Sequence, residues 1–543
     1  MIQKPMTDTR LKDLYFNEGI QYIPKLLELA DRNRLSSTYG CFDRGFWHYR
    51  CSDFPSGMYQ ESVLPLALVF SLKHPANPYY GNARIQETVM AGIDFARHSS
   101  HPDGSCDDYF PFERAAGATA FSLYACTEAL LVTKSDAAGF LDFFKRRANY
   151  LATEGIKESG VLSNHKALIV LGLYNVFLLT NDPAFKEKAE ACLAKLLALQ
   201  TEEGWFPEYE GCDPGYLTFT IDFLAKYYQK SSDPAVVEPL CRAIEFASYF
   251  MHPDGSFGGE YGSRNTFHFM PHGFEIMGGL SPWAVPTADA FLLSLQKKTR
   301  SCIDDDRIFI HYTYNFLQAH GDFFEPREVR SKDGGRVLKK FFEQAGLYVV
   351  SDDKNYAVIS TRKGGTAKYF RNGTLKFSDC GFVGATDKRQ KFISQVVADW
   401  KHEVRGDTLV IEGGCYEHRD LVFKPGSFLL FRAFLVLIAR FLPANFVRTL
   451  LQKKAITKRL KRVPVSIRKE IPLRSLDKVK YSIRLTDDSV RVEDLWIGSD
   501  PTFIYIATSQ PFQQGNLLPW VSLGPVLREL NEKREVHFEH TFP

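Results

Sequence analysis

Three short stretches of this 543-residue sequence combine amide, imidazole, phenol and guanidinium groups at close spacing. Asn164 and His165 open a long apolar run, and Tyr216 follows an acidic, glycine-bearing loop in the next part of the chain. A third loop, 260–272, carries Arg264, whose planar guanidinium can bind a carboxylate through two hydrogen bonds. Tyrosine and histidine transfer protons, while asparagine and arginine stabilise negative charge. Together these residue types favour proton-transfer chemistry on an acidic ligand.

The same residues also have purely structural interpretations. Asn164 precedes a helical pattern and is a good helix N-cap. Tyr216 and Tyr261 have the size to pack between neighbouring elements. His268 and His272 lie four residues apart, a spacing that can hold a metal on a helix, but a proline between them disfavours a regular helix. A third ligand is not evident in the sequence, and we expect no metal and no cofactor.

A glycine recurs at intervals of 47 to 51 residues in the first half of the chain, at Gly57, Gly104, Gly155, Gly204 and Gly255. Most of these glycines stand in acidic or turn-forming contexts such as Pro-Asp-Gly-Ser. Between them lie apolar runs too long for strands, followed by amphipathic stretches. This period predicts stacked antiparallel helix pairs, which can continue as an open solenoid or close into a ring.

The pattern changes near residue 330. A polar segment with two glycines, 330–336, precedes short strand-like runs that are bounded by Gly, Asp and Asn. The runs lie at 347–351, 356–361, 408–411, 479–485 and 503–508. They predict an antiparallel β domain over residues 330–543, a size common for all-β domains.

Composition limits the function classes. The chain has 45% apolar and 24% charged residues, which is typical of a globular protein, and its net charge of +3 argues against a dominant nucleic-acid footprint. The first ten residues lack the apolar core of a secretory signal. Ten cysteines without a CxxC pair are typical of buried thiols in a reducing compartment. We expect a cytoplasmic protein with no nucleic-acid partner.

One segment of the β half is unlike the rest. Residues 428–442 are almost wholly apolar, and the amphipathic stretch after them includes 448–469, with nine Lys or Arg and no acid. The apolar run is too short to span a bilayer, but such a pair of segments suits an anionic membrane interface. The alternative is a helical insertion packed on the protein with its basic face in water. We predict a helical insertion at 426–465 that contacts the inner face of the cytoplasmic membrane through Phe431, Phe434, Leu435, Phe441, Lys453, Lys454 and Arg459.

Helical repeats near 50 residues followed by an antiparallel β domain resemble the heparinase II/III-like and alginate-lyase-like polysaccharide lyases. Ser163-Asn164-His165 is similar to the family's Asn-His pair, and the segment 210–216 occupies the place of its Tyr-bearing catalytic loop. The resemblance implies an α+β multidomain fold, with an (α/α) toroid over 1–329 and a β-sandwich with the helical insertion over 330–543. It also implies β-elimination on a uronate-containing polysaccharide, which needs no metal.

In that reaction a base removes the proton at C5 of a uronate, an acid protonates the leaving oxygen, and hydrogen-bond donors neutralise the carboxylate. The resemblance implies that Asn164 holds the carboxylate, that His165 binds it or acts as base, and that Tyr216 transfers the proton. Tyr261 and Arg264 are further catalytic candidates. The residues expected to bind the acidic glycan are Arg50, Asp53, Asp108, Tyr109, Arg114, Asp213, Asn265, His268 and His272.

One motif of the family has no counterpart here. The family often carries Gly-His-x-His-x-Asp on a strand of the β domain, but the corresponding residues 364–379 contain no histidine. The catalytic histidine of this motif is either missing or replaced by Lys368, Tyr369 or Arg371.

Two other functions fit the same sequence. α/α toroids also host glycoside hydrolases, which need a pair of carboxylates. A glycan-binding or assembly protein of an envelope polysaccharide pathway would instead use the cleft as a receptor, and a nascent or lipid-linked glycan fits each of these functions. The carboxylates available to a hydrolase are Asp107, Asp108, Glu113, Asp213 and Glu260.

Overall fold

Helices fill the chain up to Gly321 and strands dominate after Leu338 in this computed structural model. The structure describes residues 8–160, 162–209, 211–301, 307–327, 338–419, 422, 424–442, 446–447, 461–474, 476–500 and 518–542. The helices of the first half are α1 (Asp8–Ile20), α2 (Ile23–Leu29), α3 (Arg44–Trp47), α4 (Val63–Ser71), α5 (Ala83–His98), α6 (Ala116–Thr133), α7 (Leu141–Tyr150), α8 (Ile156–Glu158), α9 (Ser163–Thr180), α10 (Pro183–Leu197), α11 (Pro214–Ser231), α12 (Val237–Ser248), α13 (Pro271–Ile276), α14 (Ala284–Lys297) and α15 (Ile308–Gly321).

Six inner helices form a closed ring within the described part of this half. α4 packs on α6, contacts continue through α9, α11 and α13 to α15, and α15 returns to α4. The outer layer consists of α1, α5, α7, α10, α12 and α14, and α1 pairs with α15. Of the described helices, α6 is long and apolar enough to cross a membrane, but it is mostly buried inside the ring. The closed ring confirms the predicted (α/α) toroid.

Three of the repeating glycines occupy equivalent turns. Gly104, Gly204 and Gly255 adopt φ angles of +88°, +97° and +84°, and each lies against the backbone of an outer helix. A Cβ atom on Gly104 would lie 2.5 Å from the backbone nitrogen of Arg147. These positions therefore accept only glycine, because a side chain would be strained and would collide with the next helix.

The other two glycines of the predicted series have different roles. Gly57 begins a 3₁₀ turn (Gly57–Ser62), and Gly155 ends a π-helical turn (Leu151–Gly155). Gly40, which lies outside the spacing, has the turn geometry instead, with a φ of +87° and a close approach to Ala91 of α5. The spacing of the glycines therefore predicts the length of the repeat, but it does not identify every glycine that forms the turn.

The second half forms two antiparallel sheets. One is the meander β1–β5, and the other has the order β13-β12-β6-β7-β9-β10-β11-β14 with β8 paired to β9. The strands are β1 (Leu338–Phe342), β2 (Leu347–Ser351), β3 (Asn355–Ser360), β4 (Ala367–Arg371), β5 (Thr374–Asp379), β6 (Phe382–Thr386), β7 (Lys391–Ile393), β8 (Lys401–Arg405), β9 (Thr408–Glu417), β10 (Arg462–Pro472), β11 (Lys478–Leu485), β12 (Val492–Ile497), β13 (Val521–Ser522) and β14 (Glu535–Thr541).

The five-stranded sheet lies between the toroid and the larger sheet. Leu347 and Val349 belong to the core shared with the helices, whereas their neighbours Tyr348 and Val350 belong to the core between the two sheets. Side chains alternate along a strand, so a sheet buried on both faces can join two cores. The predicted α+β fold with a β-sandwich is confirmed.

Several predicted boundaries can be compared with the structure. Strands β2, β3, β9 and β11 confirm four of the predicted runs, while 503–508 lies outside the described residues. The same is true of the 329/330 domain boundary, which stays a prediction. The helical insertion appears as α16 (Pro425–Leu437) and a 3₁₀ turn (Ala439–Phe441), and it ends before β10 rather than at residue 465. A last helix, α17, spans Gly524–Lys533.

For part of the helical insertion, the predicted membrane contact is wrong. Leu435, predicted to face a membrane, is fully buried, and Phe431 and Phe434 are half-buried and pack in the same cluster as Phe110 of the toroid. Phe441 is exposed as predicted. The three inner residues share the helix face that docks on the protein. Lys453, Lys454 and Arg459 lie outside the described residues.

We expect Gly104→Ala to lower the free energy of unfolding by about 2 kcal/mol or more, because the new Cβ is both strained and in collision with α7. Gly139→Ala is the matched control, since a Cβ there meets no atom within 4 Å. Urea unfolding followed by circular dichroism measures both variants. Equal stability of the two variants would contradict the role of the glycine turn.

Candidate active site

A cavity of about 300 Å³ opens on the face of the ring where the inner helices begin. The amino ends of α6, α9, α11 and α15 all contribute to its wall, and helix amino ends favour negative charge. Six of the predicted site residues line this one cavity, although they come from separate repeats. They are Asp108, Tyr109, Asn164, His165, Tyr216 and His268.

Asn164 lies in the first turn of α9 and does not cap it, because the N-cap position belongs to Leu162 and no side chain accepts a capping bond. Its backbone N–H donates to the Glu208 carboxylate at 2.8 Å. Burial raises the pKa of Glu208 to about 8, against the opposing effect of the hydrogen bonds from Asn164. The cap interpretation of Asn164 is therefore wrong, and the residue is instead held in place by a buried acid.

His165 points into the cavity beside a helix surface that lacks a side chain. A Cβ on Gly117 of α6 would lie 2.8 Å from Cε1 of the His165 ring, so the ring occupies the space that this glycine leaves. Glycine in a helix costs stability relative to alanine, and at Gly117 the missing side chain makes room for the His165 ring. Burial lowers the pKa of His165 to about 4, so the ring is neutral near pH 7.

Tyr216 is positioned by the carboxylate of Asp213, which caps α11. Asp213 accepts a hydrogen bond from the Tyr216 N–H at 3.0 Å and one from the Arg264 N–H at 2.8 Å, and it also accepts the Thr266 hydroxyl. This buried carboxylate is not part of the cavity wall, and it ties two neighbouring loops together. The Tyr216 ring lies 5.7 Å from that of His268, nearly perpendicular to it.

His268 is the second neutral imidazole of the cavity. Its Nδ1 bonds the hydroxyl of Tyr312 at 2.8 Å, and its buried Nε2 has no hydrogen-bond partner within the described structure. Burial lowers its pKa to about 3. A buried imidazole nitrogen without a partner is costly, and a ligand in the cavity would satisfy it.

A third histidine, His311 of α15, was not predicted from the sequence. Its Nδ1 lies 2.7 Å from the carboxylate of Glu61, and both side chains are almost wholly buried. Burial raises the pKa of Glu61, while the His311 imidazole lowers it. His311 stacks on Phe121 at 4.5 Å and lines the cavity. A carboxylate beside one ring nitrogen is the arrangement that positions many catalytic histidines.

Arg307, also missed from the sequence, joins the two predicted residues of the 107–114 loop. It lies 2.6 Å from the Asp108 carboxylate, donates to the Tyr109 hydroxyl at 2.8 Å, and covers the Tyr109 ring at 4.6 Å. Ser56 also donates to Asp108 at 2.7 Å. The Arg307 guanidinium therefore lies in the cavity wall, where it is paired with the Asp108 carboxylate.

The loop 259–268 supplies fewer cavity residues than predicted. Arg264 lies outside the cavity wall and stacks on Tyr209, which does line the cavity, at 3.9 Å. Tyr261 is turned away, and its hydroxyl bonds His252 at 3.0 Å. Asn265 accepts a hydrogen bond from Lys363 of the β half. These side chains hold the loop and do not reach the cavity.

Four further predicted residues lie apart from the cavity. His272 is buried and pairs with Asp322 at 2.7 Å, so it does not share a metal site with His268. Arg114 forms an ion pair with an aspartate. Arg50 and Asp53 are exposed on a neighbouring loop, where Asp53 lies 3.2 Å from an arginine of α16.

The β half reaches the site loop with two buried lysines. Lys363 donates to the backbone oxygen of Glu260 at 2.9 Å and to two further oxygens of the loop, and burial lowers its pKa to about 8. Lys368 is wholly buried 3.2 Å from the Glu260 carboxylate. Tyr369 and Arg371 contact each other and not the loop. Of the three expected substitutes, only Lys368 faces the toroid.

Backbone strain is concentrated in the same loops. Five non-glycine residues outside helix ends have positive φ and lie in or beside the site loops; they are Arg50, Phe112, Arg114, Tyr209 and Asn265, at φ of 54°, 63°, 53°, 55° and 57°. Such conformations cost energy and persist where surrounding contacts enforce them, often at functional sites.

One cluster elsewhere brings together groups that can bind metals. Ligand atoms of Asp13, His74 and His320 lie within 4.8 Å of one another. The Nδ1 of His74 accepts the Ala76 N–H at 3.2 Å, so its Nε2 carries the proton that points to Asp13 at 3.5 Å. A ring nitrogen that carries a proton does not bind a metal, so His74 does not offer this nitrogen as a ligand.

Comparison with known proteins identifies solved structures with a similar fold. No family model matches the sequence, and no curated relative was found. The chondroitin AC lyase of Streptomyces coelicolor A3, solved in complex with chondroitin sulphate, superimposes with a TM-score of 0.53 at 11% identity, over 92% of this chain and 69% of that one.

Two more distant structures were also found. A heparan sulfate lyase of Pedobacter heparinus has a TM-score of 0.38 at 10% identity, over 92% of this chain and 71% of that one. An unsaturated glucuronyl hydrolase of Streptococcus agalactiae has the same score and identity over 60% of this chain and 94% of that one. The chain thus has the toroid-and-sheet fold of chondroitin AC lyase, which confirms the predicted resemblance at the level of fold.

The raised pKa of Glu208 predicts a specific pH dependence of stability. The folded protein keeps a proton on Glu208 from its ordinary pKa of 4.5 up to about 8, while the unfolded chain loses it, so unfolding becomes easier as the pH rises through this window. Glu208→Gln is neutral at every pH. We expect the free energy of unfolding of the variant to gain on the wild type between about pH 5 and 8, on the order of a few kcal/mol.

Glu187→Gln is the control, since Glu187 is exposed on an outer helix. Urea unfolding at several pH values measures all three proteins. A constant difference between wild type and Glu208→Gln across the window would contradict the buried, protonated state of Glu208.

Proposed function

We propose that the protein cleaves an acidic, uronate-containing polysaccharide by β-elimination in this cavity. The observation that carries the proposal is the convergence of Asn164, His165, Tyr216 and His268 with the Glu61–His311 pair around one space. An amide, a phenol and an oriented imidazole are the groups that elimination next to a carboxylate requires.

The proposed step uses these groups as follows. Asn164 and Arg307 bind the uronate carboxylate, so that negative charge can spread into it when the C5–H bond breaks. His311 takes the C5 proton, the electron pair forms the C4–C5 double bond, and the C4–O bond breaks. Tyr216 gives its hydroxyl proton to the leaving oxygen, and the proton on His311 is later returned through water to the tyrosinate.

His311 is a better base than His165 for a physical reason. Burial lowers the pKa of His165 to about 4, and a base with such low proton affinity gives little driving force at neutral pH. The Glu61 carboxylate, in contrast, stabilises the imidazolium that forms on His311. His165 and His268 then act as neutral hydrogen-bonding groups to the sugar.

The proposed substrate is an acidic glycan. The four helix amino ends and Arg307 favour an anionic ligand, and the exposed ring of Tyr109 at the cavity suits stacking on a sugar. Chondroitin AC lyase, the structure that shares this fold, was solved with an acidic glycan. We further propose that the protein is cytoplasmic and that its glycan substrate is nascent or lipid-linked, as predicted from the sequence.

Hydrolysis is less well supported by the carboxylates at hand. Asp107 accepts two backbone N–H groups at 2.8 and 2.9 Å, and Glu113 accepts the Tyr109 N–H at 2.7 Å. Asp213 and Glu260 lie behind the cavity wall in hydrogen bonds of their own. Asp108 is neutralised by Arg307. A hydrolase needs one carboxyl free to donate a proton and another to activate water or attack the sugar.

Tyr216→Phe should remove the acid and leave the cavity intact. With purified protein and a panel of uronate polysaccharides, we expect the rate of appearance of the unsaturated, ultraviolet-absorbing product to fall by about 10² to 10⁴. Tyr228→Phe, on the same helix and away from the cavity, should retain the wild-type rate. A fully active Tyr216→Phe would exclude the proposed acid, and cleavage without an ultraviolet signal would exclude elimination.

Glu61→Gln tests the proposed base. The amide keeps the shape of the carboxyl group but removes the charge that stabilises protonated His311, so kcat should fall by about 10- to 100-fold with KM nearly unchanged. The matched control is Glu128→Gln, because Glu128 is also buried beside a basic side chain, Lys230, but lies at the far end of α6. A rise in KM at constant kcat would show that Glu61 supports binding and not proton transfer.

A further inference from the structure

The helix α16 exposes a large apolar surface to solvent. Phe428, Leu429 and Leu430 are 46%, 70% and 74% exposed, and Leu437, Ile438 and Phe441 are 69%, 53% and 71% exposed. Single exposed apolar residues are normal, but six large ones on one short insertion are unusual and mark a candidate interaction site. We call these six residues the apolar face.

The opposite side of the insertion is firmly attached to the toroid. Leu435, Ala439 and Val447 are buried in one cluster with Phe110, and the Phe431 ring lies 5.9 Å from that of Phe110. Arg432 pairs with Asp53 at 3.2 Å. The helix is therefore docked through one side, and its apolar face is left outward by the fold and not by a loose attachment.

Charge around the insertion is one-sided. Residues 421–469 contain twelve Lys or Arg and no Asp or Glu, while the rest of the chain carries more acids than bases. Within the described residues, the cations Lys424 and Arg440 are exposed next to the apolar face, and Arg440 covers the ring of Phe441 at 4.4 Å. Basic side chains beside an exposed apolar helix face are attracted to anionic lipid headgroups.

We propose that the apolar face inserts into the interfacial region of an anionic lipid bilayer. The 13 residues of α16 are too few to span a membrane, so the helix lies in the plane of the interface. The apolar side chains enter the region between headgroups and acyl chains, and the cations bind the phosphates. A protein partner fits less well, because the cationic segment has no acids with which to set a specific register.

Docking in this way would bring the cavity close to the lipid. Phe110, which contacts Phe431 of α16, also lines the cavity. The cavity and the membrane-facing helix therefore share one side chain at their border. This geometry suits a glycan that is attached to a lipid. The suitability for such a glycan rests on the proposed function, but the membrane contact itself does not depend on that function.

Co-sedimentation with lipid vesicles tests the contact without any need for catalysis. The full-length protein is mixed with vesicles of phosphatidylcholine alone or with about one third phosphatidylglycerol. We expect binding to the anionic vesicles that weakens as salt is added, and little binding to the neutral ones. The double variant Leu429→Ser/Leu430→Ser should bind about tenfold more weakly or worse.

The control variant is Leu35→Ser, because Leu35 is 96% exposed on the toroid and outside the apolar face. Phe441→Ser provides a second, independent change within the face and should also weaken binding. Equal binding by wild type and both variants would overturn the proposal. So would a wild-type dimer that the double variant converts to a monomer, because a second copy would then cover the apolar face.

Discussion

The buried carboxylate of Asp213 is the constraint on which the site depends. It caps α11 through the amide of Tyr216, and it accepts the Arg264 N–H of the following loop, so two repeats share one anion. A buried carboxylate is stable only when its oxygens are fully hydrogen-bonded, so the two loops cannot separate without a large cost. The place of Tyr216 in the cavity is thus fixed by the packing of the whole ring.

The β half completes this arrangement from the other side. Lys363 is a buried ammonium whose three hydrogen bonds all go to oxygens of the loop 259–268. The same loop is held by Asp213, so it lies between an anion from the toroid and a cation from the sheet. The sheet therefore supports the site loop through Lys363.

The sequence predicts the part of the site that is local and not the part made by ring closure. Asn164, His165 and Tyr216 follow equivalent points in successive repeats, so the period alone brings them together. Glu61 and His311 meet only because the last inner helix packs against the first, across about 250 residues that no local pattern connects. Their sequence signal is an acid just before an apolar run and a histidine inside another, which is weak because such residues are often structural.

Other differences have an equally physical origin. Tyr261 and Asn265 have suitable chemistry, but the loop that carries them folds under the sheet, and their polar atoms are used there. Leu435 was assigned to the membrane because an apolar run does not reveal which face docks on the protein. The architecture was predictable because the 50-residue period of the helix pairs and the two-residue alternation of the strands are both strong signals. Side-chain direction, in contrast, depends on tertiary packing.

The most direct test of β-elimination is a cleavage reaction carried out in water labelled with heavy oxygen, with the products analysed by mass spectrometry. β-Elimination forms the double bond without adding water, so we expect unsaturated products that contain no label. Products that gain the mass of one labelled water would contradict it and would show that the cavity performs hydrolysis.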